Sequence, residues 1–243
     1  MKLAIFSDIH GNLPALEAVV VDIQSQQVDA MYCLGDLVGY AAFPNEVVAR
    51  IREARIPTVM GNYDDGVGFD RDECGCAYRE PTEKALGDRS FAWTKAHTTI
   101  DSKAFLRTLD QEIRFEADGK RVLLVHASPR KINEYLFEDR PLSSFQRLAA
   151  SSNADVIVYG HTHKPYTKLV DNVLFVNVGS VGKPKDGDWR ACYALIDSAS
   201  SHVRFVRLPY DVRRATDAIR ASELPHQFAT DIERGGAGVN NPR

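Results

Sequence analysis

Four cysteines, Cys33, Cys74, Cys76 and Cys192, are all that 243 residues hold, too few and too irregularly placed for a disulfide framework. Cys74-Gly75-Cys76 lacks the CxxC spacing and any partner pair, so it reads as plain loop rather than as a redox pair or metal clip. Long apolar runs are missing as well: none approaches the ~18 residues of a membrane span. The first run, Leu3 to Phe6, meets Asp8 too soon to form a signal-peptide core. Nor does one sign of charge dominate. With 30 basic and 33 acidic residues the net charge is −3, no basic block stands out, and nothing favours nucleic acid or an anionic membrane surface. These absences lead us to expect a soluble cytoplasmic protein, monomeric or homo-oligomeric.

What is present is ordinary in amount and ordered in pattern. Hydrophobic residues make up 44% and charged residues 26%, enough for a sizeable core in one domain. Leu3 to Phe6 reads as a buried strand that ends in Ser7-Asp8-Ile9-His10-Gly11-Asn12. If that segment stays extended, Asp8 and His10 point the same way and suit one metal ion. Leu13, Leu16, Val19, Val20 and Ile23 mark a helix over residues 13–26, with Pro14 tolerated in its first turn. Residues 29–34 form the second strand and end in Gly35-Asp36, and a helix follows over 44–54. Residues 56–60 make a short third strand before Gly61-Asn62-Tyr63-Asp64-Asp65. Three β–α repeats argue for parallel pairing, with ligands gathering at the strand ends.

Residues 65–110 break this rhythm. A Gly-, Asp- and Cys-rich loop over 66–78 precedes helices over 81–97 and 101–109, with Glu80 and Lys84 spaced to pair. An insertion of this size serves either as a lid or as packing. Then come a hairpin over 112–125 that turns at Asp118-Gly119 and runs into His126, and a helix over 142–150. A strand over 155–159 leads into Gly160-His161-Thr162-His163. Strands follow over 166–170, 173–178, 190–197 and 202–208, with Gly179-Ser180-Val181-Gly182 among them, and a last helix spans 212–221. The pattern predicts two packed sheets covered by helices. Residues 1–222 would form one domain, with 223–243 a C-terminal extension ending in a frayed tail from Gly235.

The polar strand ends together are Asp8, His10, Asp36, Asn62, His126, His161 and His163, about the seven N/O donors that a two-metal hydrolase needs. Their chemistry fits Mn, Fe, Zn or Ni, and the absence of cysteine among them argues against a structural thiolate zinc site. Arg79, Arg89 and Arg130 are candidate phosphate contacts or plain structural arginines.

The ordered series Asp8-x-His10, Gly35-Asp36, Gly61-Asn62, Val125-His126 and Gly160-His161-Thr162-His163 resembles the signature of the calcineurin-like metallophosphoesterase superfamily, most of all its small single-domain bacterial and archaeal members. The resemblance implies an α/β/β/α sandwich of two mixed sheets with a binuclear metal site at the strand ends. Carried over by position, Asp8, His10, Asp36 and His163 would hold one ion, and Asp36 would bridge to a second held by Asn62, His126 and His161. The ions would be divalent, manganese foremost, with Fe, Ni, Zn or Mg as alternatives. The implied reaction is hydrolysis of a phosphodiester, a nucleotide or another phosphomonoester by a metal-bridging water. Asp36, Asn62, His126 and Tyr63 form the catalytic set on this reading. Tyr63 stands where many members carry a histidine acid. We therefore expect one of three things: a bias towards good leaving groups, an acid supplied by Asp64, or Tyr63 as a wall residue. Two other readings remain. A retromer scaffold subunit of the same superfamily binds proteins instead, and an amidohydrolase would need a longer β/α barrel.

Overall fold

The computed structural model describes residues 1–78 and 80–236; Arg79 and the predicted tail beyond Gly236 lie outside them. In chain order the elements are β1 (Lys2–Phe6), α1 (Leu13–Ser25), β2 (Ala30–Cys33), α2 (Pro44–Glu53), α3 (Asn62–Gly68), α4 (Pro81–His97) and α5 (Ile100–Leu106). They continue as β3 (Glu112–Ala117), β4 (Lys120–Val125), α6 (Leu142–Ser152), β5 (Val156–Tyr159), β6 (Tyr166–Val170) and β7 (Val173–Asn177). β8 (Ala191–Asp197), β9 (His202–Leu208), α7 (Val212–Ala221) and α8 (Gln227–Glu233) complete them. No helix among the described residues is long and apolar enough to cross a membrane.

Two mixed sheets result, one ordered β2-β1-β8-β9 and the other β3-β4-β5-β7-β6. β1 pairs parallel with β2 and antiparallel with β8, while β5 runs parallel to both β4 and β7. The period of two along each strand builds the layers. Leu3 and Ile5 face the other sheet and meet Leu124, Val158 and Val176, whereas Ala4 and Phe6 face Leu16 and Val19 of α1. On the far side, Leu123, Ile157 and Phe175 pack on Phe145 and Leu148 of α6. The product is the expected four-layer α/β/β/α sandwich.

Several expectations are corrected. Residues 56–60 do not form a strand: Thr58 and Val59 make only isolated bridges, to Cys33 and Asp110. Pro57 has no N–H to give, and the segment passes from the edge of one sheet to the approach of the other. α3 was hidden by Gly66 and Gly68, which are poor helix formers; Asp64 starts it by accepting the Gly61 N–H at 3.0 Å. Lys84 pairs with Asp88, one turn on, rather than with Glu80. The helix over 212–221 is not the last: α8 follows, and its Phe228, Ala229 and Ile232 enter the same core as α1.

Phe145 is fully buried and meets the Phe175 ring edge-on at 5.2 Å. Phe145→Ala is expected to cost about 3–5 kcal/mol of unfolding free energy, measured by urea denaturation. A loss below about 1 kcal/mol would mean that α6 does not depend on this contact.

Candidate metal centre

β1 stops at Phe6, and the chain enters its polar turn with φ of +56° at Asp8 and +51° at His10. The two side chains therefore converge through left-handed turns, not through the extended spacing the sequence invited. Asp36, His161 and His163 share this conformation, at +53°, +65° and +60°. Such a φ costs a non-glycine residue on the order of 1–3 kcal/mol and survives only where the surroundings enforce it. Here the first two loops are laced together: Asp8 N–H donates to Gly35 O, His10 N–H to Asp36 O and Gly11 N–H to Leu37 O, at 2.8–3.0 Å.

The strand ends meet in two groups. Asp8, His10 and His163 bring their donor atoms within 4.8 Å of one another, and Asp36, His126 and His161 do the same. Asp36 Oδ2 lies between them, 3.6 Å from His10 Nε2 and 3.5 Å from His126 Nε2. Asn62 Oδ1 joins the second group, 3.1 Å from His126 Nε2. All seven expected donors are thus gathered, from five separate loops.

Their orientation is set from behind. His10, His126 and His163 turn Nδ1 towards the carbonyls of Val38, Leu34 and Lys183. A carbonyl can only accept, so Nδ1 carries the proton and the Nε2 lone pair faces inward. Asn62 donates Nδ2 to Cys74 O at 3.0 Å, which leaves its oxygen for the cluster. Tyr63 N–H fixes Asp36 Oδ1 at 2.9 Å, and His161 N–H fixes Asp8 Oδ2 at 2.9 Å. Asp8 Oδ1 and His161 Nε2 are buried without any hydrogen-bond partner.

Electrostatics follow from this crowding. Burial holds His10 at about 3 against the pull of Asp36. Burial also keeps His161 and His163 well below the usual histidine range, helped by the positive charges of His126 and Lys185. At His126 burial again opposes a proton, yet Asp36 and its neighbours outweigh it and lift the imidazole to about 9. The neutral imidazoles of His10, His161 and His163 beside carboxylates with vacant lone pairs suit a divalent cation, whose binding would displace the proton that Asp36 holds on His126. The unpaired Asp8 Oδ1 and His161 Nε2 give a metal somewhere to bind, so the residues present fit metal ions.

The remaining candidates are placed otherwise. Tyr63 turns its hydroxyl to Ser90 Oγ at 3.4 Å and packs its ring edge-on to His10, while burial pushes its pKa well above the ordinary value. That is the placement of a wall residue, one of the three expectations for Tyr63. Asp64 is occupied by the N–H groups of Gly61 and Leu37, with burial raising it to about 7. Arg130 pairs with Glu134, and Arg89 lies in a shallow groove beside Glu223. Cys74 and Cys76 are joined in a disulfide, which corrects the plain-loop reading. The pair backs Asn62 and borders an open cleft of about 860 Å³ that Asn62, Phe69, Arg71 and Asn133 also line. In the segment proposed as a lid, Ser90 and Phe91 of α4 brace Tyr40 and Tyr63. Sequence reasoning missed Tyr135, whose ring stands 4.2 Å from that of His161 and which no motif marks. It also assigned no chemistry to the loop after Gly182, which supplies the carbonyl behind His163.

Known proteins resemble this chain along most of its length. A family model described as the calcineurin-like phosphoesterase superfamily domain matches residues 1–201. Protein MJ0912 of Methanocaldococcus jannaschii is 34% identical over 240 residues, covering 92% of this chain and 93% of its own. Phosphodiesterase YfcE of Escherichia coli is 27% identical over 210 residues, covering 82% and 88%. Among solved structures, a metallophosphoesterase from Sphaerobacter thermophilus has a TM-score of 0.78 at 27% identity, covering 97% of this chain and 99% of its own.

Gly61 touches the Asp36 loop so closely that an added Cβ would collide with the Asp36 carboxylate and backbone nitrogen. Gly61→Ala is expected to displace Asp36 and weaken manganese binding by about 10–100-fold in a calorimetric titration. Unchanged affinity would show that this contact does not hold the carboxylate in place.

Proposed function

Since the chain belongs to the calcineurin-like phosphoesterase superfamily, we propose that it hydrolyses small phosphate esters, phosphodiesters foremost, with two divalent metal ions. Asp8, His10, Asp36 and His163 would hold the first ion, and Asp36 would extend to the second beside Asn62, His126 and His161. The observation that carries this reading is the pair of buried donor groups, with Asp36 Oδ2 of the second 3.6 Å from His10 Nε2 of the first and Asp8 Oδ1 without a hydrogen-bond partner. The relatives named as phosphodiesterases support the diester. Manganese is the first ion to test, since oxygen and imidazole donors suit it.

When bound, the ions would neutralise the phosphoryl oxygens and supply an acidified water as nucleophile. The chain's own residues do the positioning. Asp8 and Asp36 provide the negative charge, each held by a backbone N–H on one oxygen. Three backbone carbonyls fix the imidazole tautomers, so little reorganisation accompanies metal loading. Tyr63 does not serve as the proton donor: its hydroxyl is committed to Ser90 and burial keeps it protonated. Esters with good leaving groups are accordingly the preferred class.

Metal-stripped protein is assayed on bis-p-nitrophenyl phosphate and p-nitrophenyl phosphate with Mn, Ni, Mg or Zn restored. Turnover is expected only with metal, faster on the diester, and reduced more than about 100-fold by Asp36→Asn. Metal-independent turnover, or none with any ion, would contradict the proposal. Tyr63→Phe is expected to stay within about threefold of the parent, since removing a true general acid costs about 10²–10⁴-fold. A loss of that size would restore Tyr63 to the mechanism.

A further inference from the structure

After α3 the chain runs through residues 72–78 with neither helix nor strand, and there it comes up against Asn62. Among the described residues no N–H or carbonyl of residues 72–78 enters a backbone–backbone hydrogen bond. Side chains fasten the stretch instead. Asn62 Nδ2 donates to Cys74 O at 3.0 Å and to Cys76 Sγ at 3.3 Å. Asn133 Nδ2, from the loop after His126, donates to Gly75 O at 2.9 Å. The Tyr78 hydroxyl meets that of Tyr40 at 3.4 Å. Between the two asparagine anchors the Cys74–Cys76 disulfide closes across Gly75, whose φ of +66° suits a glycine.

A bridge across a single residue closes a very small loop, so it restrains the unfolded chain little and adds little stability that way. What it does restrain is the native position of two acceptors, Cys74 O and Cys76 Sγ, and one side chain uses both. An amide nitrogen only donates, so these acceptors decide which end of Asn62 faces the cluster. With Nδ2 held outward, Oδ1 lies 3.1 Å from His126 Nε2, beside the group of Asp36, His126 and His161. The other group has no such tie. Among the described residues Asp8, His10 and His163 form no hydrogen bond to residues 72–78. The bridge is also within reach of solvent: Cys76 is half-buried, and the cleft of about 860 Å³ opens on Cys74 and Gly75.

We infer that the Cys74–Cys76 disulfide positions Asn62 for the second metal ion, and that reducing the bridge loosens that ion alone. This inference rests on the two-ion reading of the site and adds a redox control to it. A small dithiol supplies the electrons. Its thiolate attacks Cys76 Sγ, the bridge breaks, and Cys74 leaves as a thiolate that takes up a proton. The second thiol of the reagent then displaces Cys76 from the mixed disulfide. The protein has gained two electrons and two protons, and the dithiol has become a disulfide. With the bridge gone, residues 74–76 lean on the two asparagine bonds, and the Asn62 amide loses its fixed partners.

Manganese is titrated calorimetrically into metal-free protein, once oxidised and once reduced with dithiothreitol that is removed before the titration. Both forms are expected to take the first ion equally, and the reduced form to bind the second about 10–100-fold more weakly. Reoxidation by a small disulfide should restore the second ion. Cys76→Ser should bind like the reduced protein whether or not it has met the dithiol. Alkylation under denaturing conditions counts the thiols alongside: Cys33 and Cys192 alone are expected to react before reduction, and all four cysteines after it. Equal second-ion affinity in the two forms, a loss shared by both ions, or four reactive thiols in the oxidised protein would overturn the inference. The parent chain alone decides the comparison, so it stands even where Cys76→Ser fails to fold. Turnover is read separately. A redox-dependent second ion without hydrolysis of any ester sinks the phosphoesterase and leaves the control standing. Hydrolysis with equal affinities does the reverse.

Discussion

Asp8 and Asp36 are 0% and 2% exposed, surrounded by imidazoles, and among the described residues neither is paired with a lysine or arginine. Buried carboxylates in that condition are unfavourable unless something positive joins them. Much of the surrounding structure is explained by that requirement. Five donor residues sit in left-handed turns, the imidazoles are pinned by backbone carbonyls, and Gly61 and Gly160 press close against Asp36 and Asp8. Each of these features holds donors in place around the two carboxylates. The two sheets are the rigid frame that makes such turns affordable, because their strands deliver every loop to one edge.

The frame was legible from period and punctuation. Leu3 and Ile5 against Ala4 and Phe6 already announce a strand with two buried faces, and the ordered His and Asp pairs mark its partners. What could not be read were features without a local signal. α3 is made by one capping carboxylate in a glycine-rich stretch, and α8 is too short for periodicity to show. Thr58 and Val59 have the composition of a strand, yet the neighbouring Pro57 and their position between two sheet edges leave them only bridges. The site itself was legible as a set of donors, but for Asp8 and His10 the geometric reason offered, an extended segment, was wrong. Convergence came from turns, and turn conformation at non-glycine residues leaves little trace in sequence.

The same distinction explains the residues around the donors. Tyr63 fills the position where a histidine acid is usual, and only packing reveals that its hydroxyl serves Ser90. Cys74 and Cys76 become significant through Asn62, which uses the Cys74 carbonyl to aim its own oxygen inward. The loop after β7 is tied to the donors through the bonds from Ser180 and Gly182 to Asp8, which no local pattern shows. The cleft beside Asn62 and the α4 wall surround the donors with residues that no motif marks.

The central claim is that Asp36 joins two metal ions rather than serving two separate sites. Electron paramagnetic resonance of protein loaded with manganese tests it most directly, because ions about 3.5–4 Å apart across a shared carboxylate are magnetically coupled. The account predicts an exchange-coupled pair signal that grows in as the second equivalent binds. Isolated six-line manganese spectra at full loading, with no coupling at any temperature, would contradict it.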